Sequence, residues 1–303
     1  MKTKAIIPVS LAILAALFLS ACSTPPDREH PIQARDAETT DLADVTADAL
    51  DLAAGAGPEN VLMVFDLDNT LLAMEQGLGA DQWYEWQRDM AKHDNCNPQY
   101  VGDRFAAQGA LLFVSAMRPT QQNAASQVST IQNEGIAVII VTSRGQDYRL
   151  PTFRELRRNG FHFNRTAIGP AGGYDQPFKP VQGGRMSRYE DGVFMTAGQH
   201  KGQMLYALLQ KTGTPLPAVI VMADDKQKNL DAVKQTFSEL DVPVRAWRYS
   251  GEDANVANFD SQKSDTEWKS IAPALRQIQH VLGPDNYDLR SAMLAPKCGD
   301  GQH

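Results

Sequence analysis

Three short apolar runs constrain this chain more than any other feature: VLMVF at 61–65, IAVIIV at 136–141 and VIVMA at 219–223. None alternates with polar residues, and each ends abruptly in a polar cluster. A strand buried on both faces reads this way, because neither face meets water. Helix-like stretches at 119–133, 149–159 and 201–211 accompany the second and third runs. Strands alternating with helices imply an α/β fold, a Rossmann-like parallel sheet with helices on both faces. Ligands of such sheets gather beyond the carboxyl ends of the strands. Here those ends read DLDNT, TSRG and DDKQKN.

The first of these ends poses the chemical question. Asp66 and Asp68 follow a buried strand directly. Unpaired charges beside a core are costly, so such a pair persists where a cation, a hydrogen-bond network or a reaction requires it. Two residues apart on extended backbone, both carboxylates face the same side. Magnesium prefers oxygen ligands and combines one or two carboxylates with substrate phosphate oxygens. Asp224 and Asp225, after the third run, are further candidate ligands, and a cation there would neutralise both the clustered acids and a phosphate.

Composition narrows the partners. A chain of 303 residues, 43% hydrophobic and 21% charged, can bury a sizeable core. Its formal charge is −7, which becomes −9 without Lys2 and Lys4, the only charged residues of the first 21. This mild acidity argues against a nucleic-acid partner, which calls for a basic footprint.

The N-terminus has the parts of an export signal: two lysines, an apolar run from Ala5 to Leu19, then small residues. Fifteen residues are short for a membrane-spanning helix. Leu19-Ser20-Ala21-Cys22 resembles the lipobox of bacterial lipoproteins, which implies a signal peptide at 1–21 and a lipidated Cys22. Ser23 after the cysteine fits sorting to the outer membrane. The protein is then expected at that membrane through its lipid anchor only, with its folded part facing the periplasm. Residues 22–57 read as the lipidated cysteine, a polar, proline-bearing tether to about Thr40, and a short helix at 41–54; the main folded unit is expected at 58–303. Cys96 and Cys298 leave a disulfide open, and their spacing does not suit zinc.

DLDNT at 66–70 resembles the first signature, DxDxT, of the haloacid dehalogenase superfamily, which includes many magnesium-dependent phosphatases. Three further signatures of that superfamily follow in order. IAVIIVTSR places Thr142 at a strand end, with Ser143 as the rival; QHKGQMLYALL supplies Lys201; VIVMADDKQKN supplies Asp224, Asp225 and Asn229. Singly, each residue has a structural reading as a cap, a turn or a solvated side chain. Four signatures in order favour function. The resemblance runs from residue 61 to residue 229 and extends to a poorly characterised branch with export signals.

The resemblance implies a haloacid-dehalogenase-like core and a role for each residue. Asp66 becomes the nucleophile that takes the phosphoryl group, and Asp68 the acid that protonates the leaving oxygen and then activates water. Thr142 and Lys201 bind phosphate. Asp66, Asp224 and Asp225 hold Mg2+, together with Asp68 through its main-chain carbonyl. Thr70 supports the loop.

Seventy-one residues separate Thr70 from Thr142, and 58 separate Thr142 from Lys201. The first gap implies a small helical cap at about 74–117. Its Trp83, Tyr84 and Trp86 fill either that subdomain's core or, less commonly, a ligand site. The second gap is rich in glycine and reads as loops with a hairpin near 189–196. Arg144 either meets a second anionic group of the substrate or forms a structural salt bridge. The expected activity is a magnesium-dependent phosphatase acting on a small phosphorylated substrate. The alternative is a catalytically silent lipoprotein of the same fold that binds a phosphorylated ligand or a partner protein. Dehalogenase chemistry on Asp66 is weaker, because the acidic fourth signature suits magnesium and phosphate.

Overall fold

The computed structural model describes residues 32–282 and 289–292. In chain order the elements are β1 (Arg35–Thr39), α1 (Leu42–Ala56), β2 (Val61–Phe65), β3 (Leu72–Met74), α2 (Asp81–His93), α3 (Arg104–Val114), β4 (Met117–Pro119) and α4 (Ala124–Asn133). There follow β5 (Ala137–Thr142), α5 (Arg149–Arg158), β6 (Arg188–Glu190), β7 (Val193–Met195), α6 (Lys201–Thr212) and β8 (Val219–Asp224). The last are α7 (Gln227–Ser238), β9 (Val244–Tyr249), α8 (Asp253–Ala257), α9 (Ser261–Leu282) and α10 (Leu289–Ala292).

Seven strands form one sheet in the order β1-β9-β8-β2-β5-β7-β6. Every neighbouring pair is parallel except β6 with β7. The three apolar runs are the central strands β8, β2 and β5, so each is flanked by strands as well as covered on both faces. Val61, Met63 and Phe65 belong to one core with Val138, Ile140, Val219 and Val221. Leu62 and Val64 alternate into the opposite core with Ile139, Ile220 and Met222. Helices α1, α4 and α5 cover the first face, through Leu42, Val45, Val128, Ile131 and Leu156. Helices α6 and α7 cover the second, through Met204, Leu205, Leu208, Val233 and Phe237. Burying an apolar side chain of this size stabilises by about 1.5–3 kcal/mol. An α/β fold with helices on both faces is therefore observed as expected.

The expected hairpin is β6–β7, closed by Asp191 and Gly192, which both take positive φ, 45° and 80°. An Asp-Gly pair tolerates that conformation and matches the twist of the strands it joins.

The tether ends earlier than the sequence suggests. Residues 35–39 form β1, an edge strand in register with β9, and α1 packs into the first core, so the folded unit does not begin at Pro58. In β1 only Thr39 is buried; its place is set by main-chain pairing rather than by apolar alternation, and no local pattern reveals it. Strand β9 also lacks a continuous apolar run, since Arg245 and Arg248 interrupt it. The leader, Cys22 and Cys298 lie outside the described residues, and with them the expected lipidation and the Cys96–Cys298 pairing. Among the described residues no helix is long and apolar enough to cross a membrane.

A second, two-stranded sheet stands beside the main one. Strands β3 and β4 pair antiparallel, with Leu72 opposite Pro119 and Met74 opposite Met117. They form the stem of the segment that holds α2 and α3. That segment has its own core, and the far end of the chain completes it: Trp83, Leu111 and Ala107 pack with Trp268, Ala272 and Leu275 of α9 and with Leu289 of α10. The Trp83 and Trp268 rings lie 6.4 Å apart, and those of Trp86 and Phe259 5.8 Å apart. These tryptophans are packing residues.

Candidate active site

The carboxyl ends of β2, β5 and β8 lie side by side, because those strands are parallel neighbours. The main-chain N–H of Asp66 still donates to Ala223 O (2.9 Å), so the loop starts from the rigid edge of the sheet. Leu67 O then accepts from the N–H groups of Leu71 and Leu72, both at 3.0 Å, which folds DLDNT back on itself. Asn69 takes φ +58°, a left-handed conformation that asparagine adopts more readily than most residues. Thr70 ties two loops together. Its hydroxyl accepts the Asp225 N–H at 3.0 Å, and its carbonyl accepts the Thr120 hydroxyl at 2.7 Å.

Lys201 opens α6, and its ammonium is buried between two carboxylates. Nζ donates to Asp66 Oδ1 at 2.6 Å and to Asp224 Oδ2 at 2.7 Å. Burial opposes its charge, but the carboxylates of Asp224 and Asp66 outweigh burial and raise its pKa. Gly202 lets the helix sit there. A Cβ at that position would collide with the Ala232 carbonyl oxygen and the Thr236 hydroxyl of α7. Asp224 is held from its other side by the Lys226 N–H at 2.9 Å and by Asn229 Nδ2, 2.9 and 3.1 Å from its two oxygens.

One carboxylate oxygen each from Asp66, Asp224 and Asp225 lies within 4.8 Å of the other two. Desolvation raises the pKa of Asp66, helped by the charge of Asp224 and opposed by Lys201. Asp225 is raised as well, by desolvation and then by the charges of Asp66 and Asp224. Three converging carboxylates against one ammonium leave an excess of negative charge with hard oxygen donors. That donor set suits a divalent cation such as magnesium. The same geometry does not select magnesium over other hard cations.

Asp68 is placed differently. Its two oxygens take a forked pair of hydrogen bonds from the buried Arg144, Nε to Oδ2 at 2.9 Å and Nη2 to Oδ1 at 2.7 Å. Its carboxylate is thus outside the three-acid cluster, which leaves the main-chain carbonyl as the contribution to a metal that the sequence reading gave it. Arg144 is in turn fixed by Nη1 to the Thr152 hydroxyl, at 2.8 Å. Thr142 is buried at the end of β5, and its hydroxyl accepts the Arg144 N–H at 3.2 Å. Of the expected residues, Asp66, Lys201, Asp224 and Asp225 meet directly, while Asp68 and Thr142 flank them through Arg144.

Sequence reasoning missed Lys226. Its Nζ reaches from the third strand end to Asp81 Oδ2 (2.6 Å) and Glu85 Oε1 (2.9 Å) on the first turns of α2. Burial raises the pKa of Asp81, with Lys226 opposing and Asp68 adding to the rise. These contacts moor the inserted segment to the acidic loop. Two acids four apart at a helix start, and a lysine directly after Asp224-Asp225, were the available signal.

Comparison with known proteins adds a family and no activity. No curated protein and no solved structure matches the chain. Residues 38–280 match a family described as "Protein of unknown function (DUF2608)", and that span, from β1 to the end of α9, places the chain in the DUF2608 family.

Proposed function

We propose that the protein is a magnesium-dependent phosphomonoesterase of haloacid dehalogenase type, acting on a small phosphorylated substrate. The observation that carries this reading is the buried Lys201 bridging Asp66 and Asp224, with Asp225 completing a three-carboxylate cluster. Lys201 binds Asp66 through Oδ1, which leaves Oδ2 to attack phosphorus. The Asp66–phosphorus bond forms as the bond to the leaving oxygen breaks, and that oxygen takes its proton from Asp68. Asp68 then removes a proton from water as it attacks phosphorus, which frees Asp66 and inorganic phosphate. Lys201 and the Thr142 hydroxyl provide fixed positive charge and a donor for the phosphate oxygens, where preorganisation lowers the barrier. A bound divalent cation, held by Asp66, Asp224, Asp225 and the Asp68 carbonyl, supplies charge neutralisation.

The export signal, the lipidated Cys22, the outer-membrane location and the cap role of 74–117 belong to the same proposal. They rest on the sequence resemblances.

The test is phosphate release from an aryl phosphate and from a panel of small phosphate esters, with magnesium and with chelator. Wild type is expected to turn over only with the cation, and Asp66→Asn to abolish release. Equal inertness of both proteins across the panel overturns the enzyme. The arginine clamp on Asp68 favours a second reading, a silent binder of a phosphorylated ligand, because proton donation requires that pair to open. A magnesium-dependent thermal shift with inorganic phosphate but no turnover would select it.

A further inference from the structure

The carboxyl edge of the sheet is charged unevenly. Past β2 and β8 stand Asp66, Asp224 and Asp225, and Lys226 draws Asp81 and Glu85 of α2 to the same side. Past β5 and around the β6–β7 hairpin the chain brings four arginines instead: Arg144, Arg149, Arg185 and Arg188. Three of them are committed. Arg144 forks onto Asp68, so it is not free for a second anionic group of a substrate, and Arg149 and Arg188 both pair with Glu190. Arg185 is exposed, and its guanidinium has no hydrogen-bond or ion-pair partner among the described residues.

The position of Arg185 is nonetheless built. Gln199 grips its main chain from both sides: Oε1 accepts the Arg185 N–H at 2.8 Å, and Nε2 donates to the Arg185 carbonyl at 3.2 Å and to the Thr196 carbonyl at 2.7 Å. The guanidinium lies over Gly198, where Nη2 is 3.5 Å from the point a Cβ would occupy. That turn adjoins the phosphate-binding candidates. The Thr196 N–H and hydroxyl donate to the Thr142 carbonyl at 2.9 and 2.8 Å, the Ala197 N–H donates to the Arg144 carbonyl at 3.0 Å, and Lys201 opens α6 three residues after Gly198. The free guanidinium thus stands beside the loops that carry Thr142 and Lys201, on the side away from the acids.

We propose that Arg185 recognises a second anionic group of the substrate, a carboxylate or a second phosphate, and so selects for phosphate esters that carry one. The place of the first phosphate, between Asp66 and Thr142, rests on the phosphatase reading. Strand β6, which Arg185 precedes, lies two strand spacings from β5, about 10 Å. The second anionic group therefore sits several bonds from the phosphorus. Its charge is repelled by Asp81 and Glu85 on one side and drawn to Arg185 on the other, where a guanidinium can take a carboxylate or a phosphate through two parallel hydrogen bonds.

Non-hydrolysable phosphonates test this apart from turnover. Calorimetric titration of the full chain with magnesium compares hexylphosphonate, 6-phosphonohexanoate and hexane-1,6-diphosphonate. At low ionic strength one or both of the doubly anionic probes should bind about tenfold more tightly than hexylphosphonate, the scale of a charge-assisted pair, and which of them does tells a carboxylate from a phosphate. Arg185→Gln should erase that preference while leaving the hexylphosphonate affinity and the melting temperature unchanged; Arg185→Lys should restore part of it. Equal binding of all three probes, or a preference that survives Arg185→Gln, overturns the inference and leaves the first phosphate site standing. Binding of none of them overturns both. A preference lost in Arg185→Gln supports the inference even where the phosphate-release assay shows a silent binder.

Discussion

Arg144 holds both oxygens of Asp68 in a fork, with Nε and Nη2 at 2.9 and 2.7 Å, across 76 residues of chain. Arg144 is itself 5% exposed and braced on Thr152, so it fixes the carboxylate rather than following it. On the proposed reaction Arg144 is a positioning residue that holds Asp68 in place until the pair opens for proton donation. Arg144→Ala is expected to lower kcat about 100-fold, the contribution of a well-placed general acid. Arg144→Lys keeps the charge but loses the fork and should recover only part. Steady-state kinetics with a poor and a good leaving group checks this, because an acid defect spares the good one. A rise in activity on Arg144→Ala would instead identify the clamp as an off state.

Lys201 is the only cation touching the three-acid cluster in the described residues. Removing one partner of a buried pair costs about 3–5 kcal/mol, because the other charges stay buried and unpaired. Lys201→Met should lower the unfolding free energy by about 3 kcal/mol at neutral pH. Urea titration gives the measurement, and an unchanged midpoint would show that the acids relax by taking up protons.

The pH dependence of the metal-free protein follows from the same cluster. Burial raises the pKa values of Asp66 and Asp225 above those of ordinary carboxylates. Between the ordinary range, about 4, and the raised folded values, the native state binds more protons than the unfolded chain. Stability therefore falls as pH rises through that window. On the proposed reading a divalent cation binds these acids deprotonated, so its stabilising effect should grow with pH. Melting temperatures from pH 5 to 9, in chelator and in magnesium, are expected to diverge upward, and Asp225→Asn to flatten the chelator curve.

Trp268 of α9 completes the core of the inserted segment. Trp268→Ala should cost about 3–5 kcal/mol of local stability. Amide exchange is expected to quicken in α2 and α3 while β2, β5 and β8 stay protected. Uniform exchange across all five elements would show a single cooperative unit.

Gly202→Ala tests the approach of α6 to α7, where a Cβ meets the Ala232 carbonyl. Forcing the helices apart costs about 1–3 kcal/mol and moves Lys201 off Asp66. On the proposed reaction, phosphate release should fall more steeply than stability, as assay and thermal melt together will show.

The central strands were legible because burial on both faces leaves a local mark. Val61–Phe65 is apolar at every position, and its five side chains divide between the two cores. The acids at the strand ends were legible for the same reason, since charge next to such a run is conspicuous. Strand β1 was not legible, because an exposed edge strand is held by main-chain bonds that no side-chain pattern records. Nor was the role of α9. Its apolar stripe shows that it packs, but Trp268 meets Trp83 across a separation of 185 residues that sequence alone does not bridge.

By itself, then, the sequence determined which segments are buried, where polar loops interrupt them and in what order candidate acids, hydroxyl and lysine occur, since these depend on neighbours a few residues away. Only the tertiary structure decided the partners: Lys201 between Asp66 and Asp224, Arg144 on Asp68, Lys226 on α2. The order of strands in the sheet sets which loops adjoin, and a charged side chain takes whichever opposite charge the adjoining loop brings within reach.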